Sequence, residues 1–317
     1  MITYSHLYIL AGVLFCVFAW LSLRDTSNPK RVTTALFWAL FAASFLAGDF
    51  IGDLGNGILV LAMALVAGFG GLGSGSVKST DAAQRQASSL TFGHRLLVPA
   101  LMIPIITLIG TFALKSIMIG DVPLADPKQS TLISLAMAAV IAGVTALWLF
   151  RQPLMAPFQE GRRLVDTIGW AALLPQMLAS LGAVFALAGV GNVVGEIATR
   201  FVPDNSLLIA VIVYCTGMAL FTMVMGNAFA AFPVLTAGVG IPFLIQKFSG
   251  DPAAVAALGM LAGFCGTLMT PLAANFNIVP AALLDLKDRN LVIRMQIPTA
   301  IVMLIINTTL MYVLAFD

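Results

Sequence analysis

The stretch that decides the fold runs from Gly217 to Pro280 and reads GMALFTMVMGNAFAAFPVLTAGVGIPFLIQKFSGDPAAVAALGMLAGFCGTLMTPLAANFNIVP. It is apolar enough to lie in a lipid bilayer, but small and polar residues interrupt it twice. The first interruption is Gly226-Asn227, and the second extends from Thr267 to Asn277. An unpaired backbone group in hydrocarbon costs several kcal/mol, so such breaks are tolerated only where protein or a water-filled cavity covers them. The stretch therefore predicts a helical hairpin followed by an interrupted helix.

The composition indicates a membrane protein built of helices. Of the 317 residues, 60% are hydrophobic and only 9% are charged, whereas soluble domains average about 25% charged residues. The three cysteines, Cys16, Cys215 and Cys265, lie in apolar segments and lack the spacing of metal ligands or of a disulfide framework. The net charge of +2 is spread over short loops, so we expect a lipid bilayer and no nucleic acid as a partner.

Apolar runs of about 17–25 residues predict the membrane spans. The fold class that follows is an all-α polytopic membrane protein with about eight transmembrane helices, one re-entrant helical hairpin and one interrupted helix. The predicted spans and broken segments are Leu7–Leu23, Val32–Ala47, Gly57–Leu72, Leu96–Leu114, Leu132–Phe150, Ile168–Val190, Leu207–Met225, Ala228–Phe248, Ala253–Leu284 and Ile297–Phe316.

The order of these segments divides the chain into three parts. Residues 1–151 form N-terminal, scaffold-like membrane helices, and residues 152–166, which contain two prolines and several charges, form a cytoplasmic elbow. Residues 167–317 are predicted to form a transport-like repeat, because discontinuous helices of this kind build the substrate and ion sites of transporters. The repeat contains the hairpin at 207–248 and the broken helix at 253–284.

Charges in the predicted loops indicate the orientation. Lys and Arg concentrate after the first, third and fifth spans and before the last one, whereas aspartates occupy the loops after the second and fourth spans. Because cytoplasmic loops are enriched in Lys and Arg, this alternation places both chain ends outside the cytoplasm. Each arm of the 207–248 pair is long enough to cross the bilayer. A re-entrant hairpin and two full spans would leave the rest of the chain on the same sides of the membrane, so the loop charges do not distinguish them. The uncharged turn at Gly226-Asn227 favours the hairpin.

Polar side chains and helix ends at the two breaks are the candidate binding groups. The amide of Asn227 can cap the second arm of the hairpin while the free N–H groups of that arm point at an anion. Pro271 removes a helix hydrogen bond and frees a carbonyl. The alternatives are a plain helix cap at Asn227 and a kink whose polar groups neighbouring helices absorb. The candidate substrate- or ion-binding residues are Gly226, Asn227, Thr267, Thr270, Pro271, Asn275 and Asn277, with Asn192 as a weaker one.

The same segments suggest which ion would be coupled to transport. They offer amide and hydroxyl oxygens, whereas a carboxylate in the middle of the membrane is missing. Hard oxygen ligands suit Na⁺, so we expect Na⁺ rather than a proton, near Asn227, Thr270 and Asn275. The His, Cys, Asp and Glu residues do not show metal-ligand spacing, and the sequence contains no readable nucleophile triad. We therefore expect neither enzymatic activity nor another cofactor.

Three segments resemble one repeat of the ion transporter superfamily. They are Ala183–Ile197 (AVFALAGVGNVVGEI), the Gly226-Asn227 hairpin and Gly263–Asn277 (GFCGTLMTPLAANFN). That superfamily includes gluconate, citrate and dicarboxylate carriers with paired re-entrant hairpins and elevator-type motion. From His6 onward, the whole chain resembles an uncharacterised bacterial inner-membrane family catalogued as domain of unknown function nine hundred seventy-nine.

The resemblance implies a secondary transporter for a small organic anion in the bacterial inner membrane. Members of the family are typically encoded beside a smaller membrane protein and often near genes of 5-oxoproline metabolism, which implies 5-oxoproline as the substrate. The superfamily's carriers have two inverted repeats, whereas this chain shows one convincing copy. The resemblance therefore implies half of an elevator-type transporter, with the smaller subunit supplying the complementary repeat. The alternative is an accessory or scaffold membrane subunit without a substrate site of its own.

Overall fold

The predicted class, a helical polytopic membrane protein, is confirmed. The computed structural model describes residues 2–75, 82–119, 122–203, 205–284 and 286–316. Within these ranges, seven helical segments are long and apolar enough to cross a bilayer, and the extended structure is confined to one two-residue strand pair and one isolated bridge. The elements are α1 (Tyr4–Arg24), α2 (Arg31–Leu65), α3 (Ala82–Phe92), α4 (Leu97–Ser116), β1 (Met118–Ile119), β2 (Val122–Pro123), α5 (Ser130–Phe150), α6 (Ala156–Ile168), α7 (Leu174–Leu187), α8 (Val190–Phe201), α9 (Leu207–Met225), α10 (Ala228–Leu235), α11 (Pro252–Thr267), α12 (Ala274–Leu283) and α13 (Leu291–Leu314).

The chain forms two compact units, Met1–Asp166 and Thr167–Asp317. The boundary falls at the end of the elbow predicted for residues 152–166. The elbow is not a separate linker, however, because α6 packs on α1 in the first unit. The guanidinium of Arg162 donates a hydrogen bond to the carbonyl of Leu21 at 3.0 Å. Most of the predicted elbow is therefore a helix that belongs to the first unit.

The two spans predicted at Val32–Ala47 and Gly57–Leu72 form one helical run that folds back on itself. α2 continues into a short π-helical turn, and Gly52 interrupts the run with a φ of 65°. A straight helix of these 40 residues would be about 60 Å long. The hydroxyl of Thr33 nevertheless donates to the carbonyl of Gly71 at 2.9 Å, so the two ends of the run lie side by side. The run therefore provides two antiparallel passes.

The second unit is built around α9, which contacts α10, α11 and α13. Tyr214 of α9 is fully buried, and a Cβ added to Gly240 or Gly259 would press against its ring. A Cβ added to Gly266 of α11 would overlap the carbonyl oxygen of Ala219 in α9. These helices therefore approach each other closely enough for backbone contact, which explains why glycines recur along α11.

Close glycine contacts also join α8 to the second arm of the hairpin. The segments of α7 and α8 are bent by 70° at Gly189, which adopts a φ of 71°. The span predicted at Ile168–Val190 therefore ends at a bend. α10 continues as a π-helix over Thr236–Lys247, and a Cβ on Gly238 would overlap the carbonyl oxygen of Gly191 in α8. α8 thus covers the middle of the second arm.

We expect Gly266→Ala to destabilise the protein, because the new methyl group forces α9 and α11 apart. Overpacking of this kind costs about 1–3 kcal/mol, and the midpoint of thermal unfolding in detergent should fall. The matched control is Gly217→Ala in α9, where the nearest atom to the added Cβ is the mobile end of Leu235 at 3.3 Å. Equal midpoints for the two variants would contradict the backbone contact between α9 and α11.

Candidate functional site

The hairpin tip, Gly226 and Asn227, is a tight turn between α9 and α10. Gly226 has a φ of 74°, in the left-handed region that favours glycine, and its N–H donates to the carbonyl of Thr222 at 2.7 Å. Asn227 is the N-cap of α10, since its Oδ1 accepts from the N–H of Phe229 at 2.8 Å. Among the described residues, the side-chain nitrogen of Asn227 has no partner. The tip is therefore a capped turn with a free amide donor.

The helix break, residues 268–273, separates α11 from α12 inside the predicted interrupted helix. The buried side chain of Asn277 spans the break, because its Nδ2 donates to the carbonyl of Thr267 at 2.8 Å and to the carbonyl of Thr270 at 2.7 Å. Carbonyls at the C-terminal end of a helix have no partner within the helix. Asn277 supplies that partner and fixes the shape of the break.

The hairpin tip and the helix break touch each other. The hydroxyl of Thr270 donates to the carbonyl of Met223, in the last turn of α9, at 2.8 Å. A Cβ on Gly226 would lie 2.5 Å from the carbonyl oxygen of Leu272, so only glycine permits this approach. The structure thus brings the two sequence-predicted breaks into contact within the second unit.

The contact places the beginnings of two helices, α10 and α12, at one location. The first N–H groups of a helix have no partner within it and carry a partial positive charge, so the location suits an anion. Within the described part of the chain, no group of three His, Cys, Asp or Glu side chains could hold a metal ion. Of the predicted residues at the tip and the break, Pro271 and Asn275 are exposed, Asn227 is half-buried, and Gly226, Thr267, Thr270 and Asn277 are buried.

Two buried oxygens in this region have no hydrogen-bond partner among the described residues. They are Oδ1 of Asn277 and Oγ1 of Thr222, and both residues are 0% exposed. The Asn277 amide cannot be reversed, because its nitrogen faces two carbonyls. Thr222 lies one turn before the tip and faces α11, where a Cβ on Gly263 would be 3.3 Å from its hydroxyl. Buried polar atoms without a partner are costly, so each of these two oxygens is a candidate contact for a bound group.

Thr222 was missed by the sequence analysis. The sequence offers one clue to Thr222, which is its position four residues before Gly226, in the last helical turn of the first arm. In the structure the N–H of Gly226 donates to the Thr222 carbonyl. Asn192, by contrast, was predicted and does not join the site. It is exposed on α8, and a Cβ on the preceding Gly191 would lie 3.1 Å from the carbonyl of Val234. Val234 lies about two helical turns beyond the tip, so α8 contacts the middle of the arm rather than its end.

The fold and the site define a polytopic helical membrane protein whose second unit pairs a helical hairpin with a broken helix. The family described as Protein of unknown function (DUF979) matches residues 5–316, which is nearly the whole chain, and the chain belongs to that family. The resemblance to this uncharacterised family, noted from the sequence, is thereby confirmed. No curated protein and no solved structure is significantly similar to the chain.

We expect Asn277→Ala to lower the free energy of unfolding, because the carbonyls of Thr267 and Thr270 would stay buried without a donor. Each such carbonyl costs about 1–3 kcal/mol. The control is Asn275→Ala, which removes an exposed amide two residues away and should change stability by less than about 0.5 kcal/mol. Chemical denaturation of the purified protein measures both variants. A similar loss in both, or no loss for Asn277→Ala, would show that Asn277 does not hold the break.

Proposed function

We propose that this chain is one subunit of a two-component secondary transporter for a small organic anion, operating by elevator-type motion. The observation that carries the proposal is the direct contact between the hairpin tip and the helix break. Transporters hold substrates near the bilayer mid-plane at the ends of discontinuous helices. In this proposal the hairpin is re-entrant, and its uncharged tip ends inside the protein because its N–H groups cannot face lipid.

The substrate class follows from the groups that the site offers. The N-termini of α10 and α12 would each stabilise a carboxylate by about 0.3–2 kcal/mol. The side-chain amides of Asn227 and Asn275 would add about 0.5–1.5 kcal/mol each. Lys247, at the far end of the second arm, is the only Lys or Arg between Gly217 and Pro280, so the site would bind the anion without a buried arginine. 5-Oxoproline, a small carboxylate with one ring amide, is the first substrate to test.

We propose Na⁺ as the coupling ion. The sequence predicted it near Asn227, Thr270 and Asn275, and in the structure the first two of these side chains are already hydrogen-bonded. Oδ1 of Asn227 caps α10, and the Thr270 hydroxyl donates to a carbonyl. Oδ1 of Asn277 and Oγ1 of Thr222 have no such partners among the described residues, and both are hard oxygen ligands that suit Na⁺.

The second, smaller membrane subunit supplies the complementary repeat in this proposal. Within the described residues of the first unit, the fold-back of α2 is a helical hairpin, but its turn at Gly52 is flanked by Asp49 and Asp53. A turn with two carboxylates is a poor match for an uncharged tip that ends inside a membrane protein. The complex would lie in the bacterial inner membrane, with both ends of this chain outside the cytoplasm.

Uptake of labelled 5-oxoproline into vesicles that contain both subunits tests the function. We expect uptake only when this chain is present, and Asn227→Ala and Asn275→Ala should each weaken substrate binding by about 5–20-fold through the loss of one hydrogen bond. Asn192→Ala is the matched control, because this exposed amide lies on α8 and should leave binding unchanged.

Two results would contradict parts of this proposal. Equal uptake with and without this chain would contradict the transporter proposal and favour an accessory or scaffold subunit. Normal binding by both variants, or failure of both to assemble with the second subunit, would mean that Asn227 and Asn275 act only as structural residues.

The coupling ion has its own test. We expect uptake to stop when Na⁺ is replaced by choline and to persist with a proton uncoupler. Thr222→Val keeps the shape of the side chain and removes only the unpaired oxygen, so it should raise the Na⁺ concentration needed for half-maximal uptake by several-fold without lowering stability. Uptake that survives in choline and collapses with the uncoupler would contradict coupling to Na⁺.

A further inference from the structure

Four side chains form a buried polar group in the first unit, here called the Arg162 cluster: Asp25, Trp38, Arg162 and Asp166. Arg162 and Asp166 lie on α6, Asp25 follows α1, and Trp38 lies on α2. Trp38 is 0% exposed, Arg162 8% and Asp166 9%. Charged side chains are rarely buried unless they are paired, so the partners of these charges decide the state of the cluster.

The guanidinium of Arg162 lies near both carboxylates of the cluster, but it is closer to Asp25 than to Asp166. Nη2 of Arg162 lies 2.9 Å from Oδ2 of Asp25, while its Nε lies 4.0 Å from Oδ2 of Asp166. The close partner of Asp166 is the indole of Trp38, whose Nε1 donates to Oδ1 at 2.8 Å. With both carboxylates ionised, the cluster carries a net charge of −1, and a single proton would neutralise it.

The surroundings decide which carboxylate takes that proton. Burial raises the pKa of Asp166 to about 6, against the lowering effects of the Trp38 hydrogen bond and the Arg162 charge. Burial also acts to raise the pKa of Asp25, but hydrogen bonds from Ser27 and the charge of Arg162 outweigh it and hold this pKa below the ordinary value. Asp166 is therefore the group that binds a proton in mildly acidic solution.

Three neighbouring charged groups, Arg24, Lys30 and Arg163, engage other partners. The guanidinium of Arg24 stacks over the Trp20 ring at 4.1 Å, and Arg163 pairs with Glu160. The Lys30 side chain lies against Gly71 and Gly73, which follow the fold-back of α2. Asp25 and Arg162 are thus the charged groups that act on Asp166 from α1 and α6, and Trp38 is its contact on α2.

We propose that the Arg162 cluster is a proton-binding site in which a proton on Asp166 fastens α6 to α1 and α2. The proton comes from solvent and adds to one carboxylate oxygen, and no other bond forms or breaks. Protonated Asp166 still accepts from Trp38, and Asp25 is then the only ionised carboxylate of the cluster beside Arg162. The second unit begins at Thr167, within α6. The proton therefore acts near the C-terminal end of α6, where the first unit ends.

The sign of the pH effect follows from linkage. Asp166 binds a proton more tightly when α6 is packed, with a pKa of about 6, than when its carboxyl is in water, with a pKa of 3.8. Packing is therefore favoured below the packed pKa, and this contribution is lost as the pH rises through about 6. Asp25 acts in the opposite sense only below its ordinary pKa of 3.8. Between about pH 8 and about pH 5, the equilibrium constant for packing should rise about tenfold.

Hydrogen exchange of the α6 backbone in the full chain, corrected for the intrinsic effect of pH, tests the proposal. We expect protection to be about tenfold higher at about pH 5 than at about pH 8. Asp166→Asn mimics the protonated state, so its α6 should be equally protected at both pH values. Glu160→Gln lies on the same helix outside the cluster and should keep the wild-type response. A pH-independent wild-type α6, or a response that survives in Asp166→Asn, would overturn the proposal.

A second measurement needs no variant that alters folding. Infrared difference spectra of the wild-type protein should show a protonated carboxylic acid that appears as the pH falls through about 6. If no carboxylic acid titrates in that range, Asp166 does not bind the proton and the proposal is wrong.

Discussion

Backbone N–H and carbonyl groups at broken helix ends cannot be left facing hydrocarbon, and the second unit is arranged around that constraint. The helix break exposes the carbonyls of Thr267 and Thr270, and the Asn277 amide pairs with both. The hairpin tip exposes the first N–H groups of α10, and Asn227 caps one of them. Because each break packs on the other, one contact covers the ends of two discontinuous elements.

Glycine makes this contact possible in two physical ways. At the tip, Gly226 adopts a left-handed conformation and also leaves room for the carbonyl of Leu272. Between α9 and α11, Gly266 allows the helices to approach until their backbones touch. In a bilayer, helices gain little from hiding apolar surface, so close van der Waals packing through small residues contributes much of their association. The same close packing keeps the hairpin tip and the helix break in contact.

Much of this arrangement could be read from the sequence, because polar and small residues in an apolar run have few structural explanations. That reasoning located both breaks, the Asn227 cap and the reversal between α2's two passes. It could not tell buried Asn277 from exposed Asn275, since the choice depends on where α12 begins. It included Asn192, whose surroundings depend on how α8 crosses the hairpin.

The first unit shows a different limit of sequence reasoning. The sequence predicted Arg162 and Asp166 as part of a cytoplasmic elbow. The local pattern of a charged helical turn is the same whether the turn faces water or protein. Their burial depends on α1 and α2, which lie more than a hundred residues earlier in the chain. Long-range partners such as Trp38, which bonds Asp166, leave no local signal in a single sequence.

If the tip and the break form a water-accessible anion site, a thiol placed between them should react with a water-soluble reagent, and substrate should protect it. Cys16 is exposed, whereas Cys215 and Cys265 are buried, so Cys16→Ser provides a background without an exposed thiol. In this background, Leu272→Cys places one accessible thiol beside Gly226. A membrane-impermeant maleimide should label it, substrate should slow the labelling, and Leu220→Cys on the exposed apolar face of α9 should stay unlabelled. If the thiol at position 272 is unreactive, or reacts at the same rate with and without carboxylate substrates, the break faces lipid or lies outside the site, and the account is contradicted.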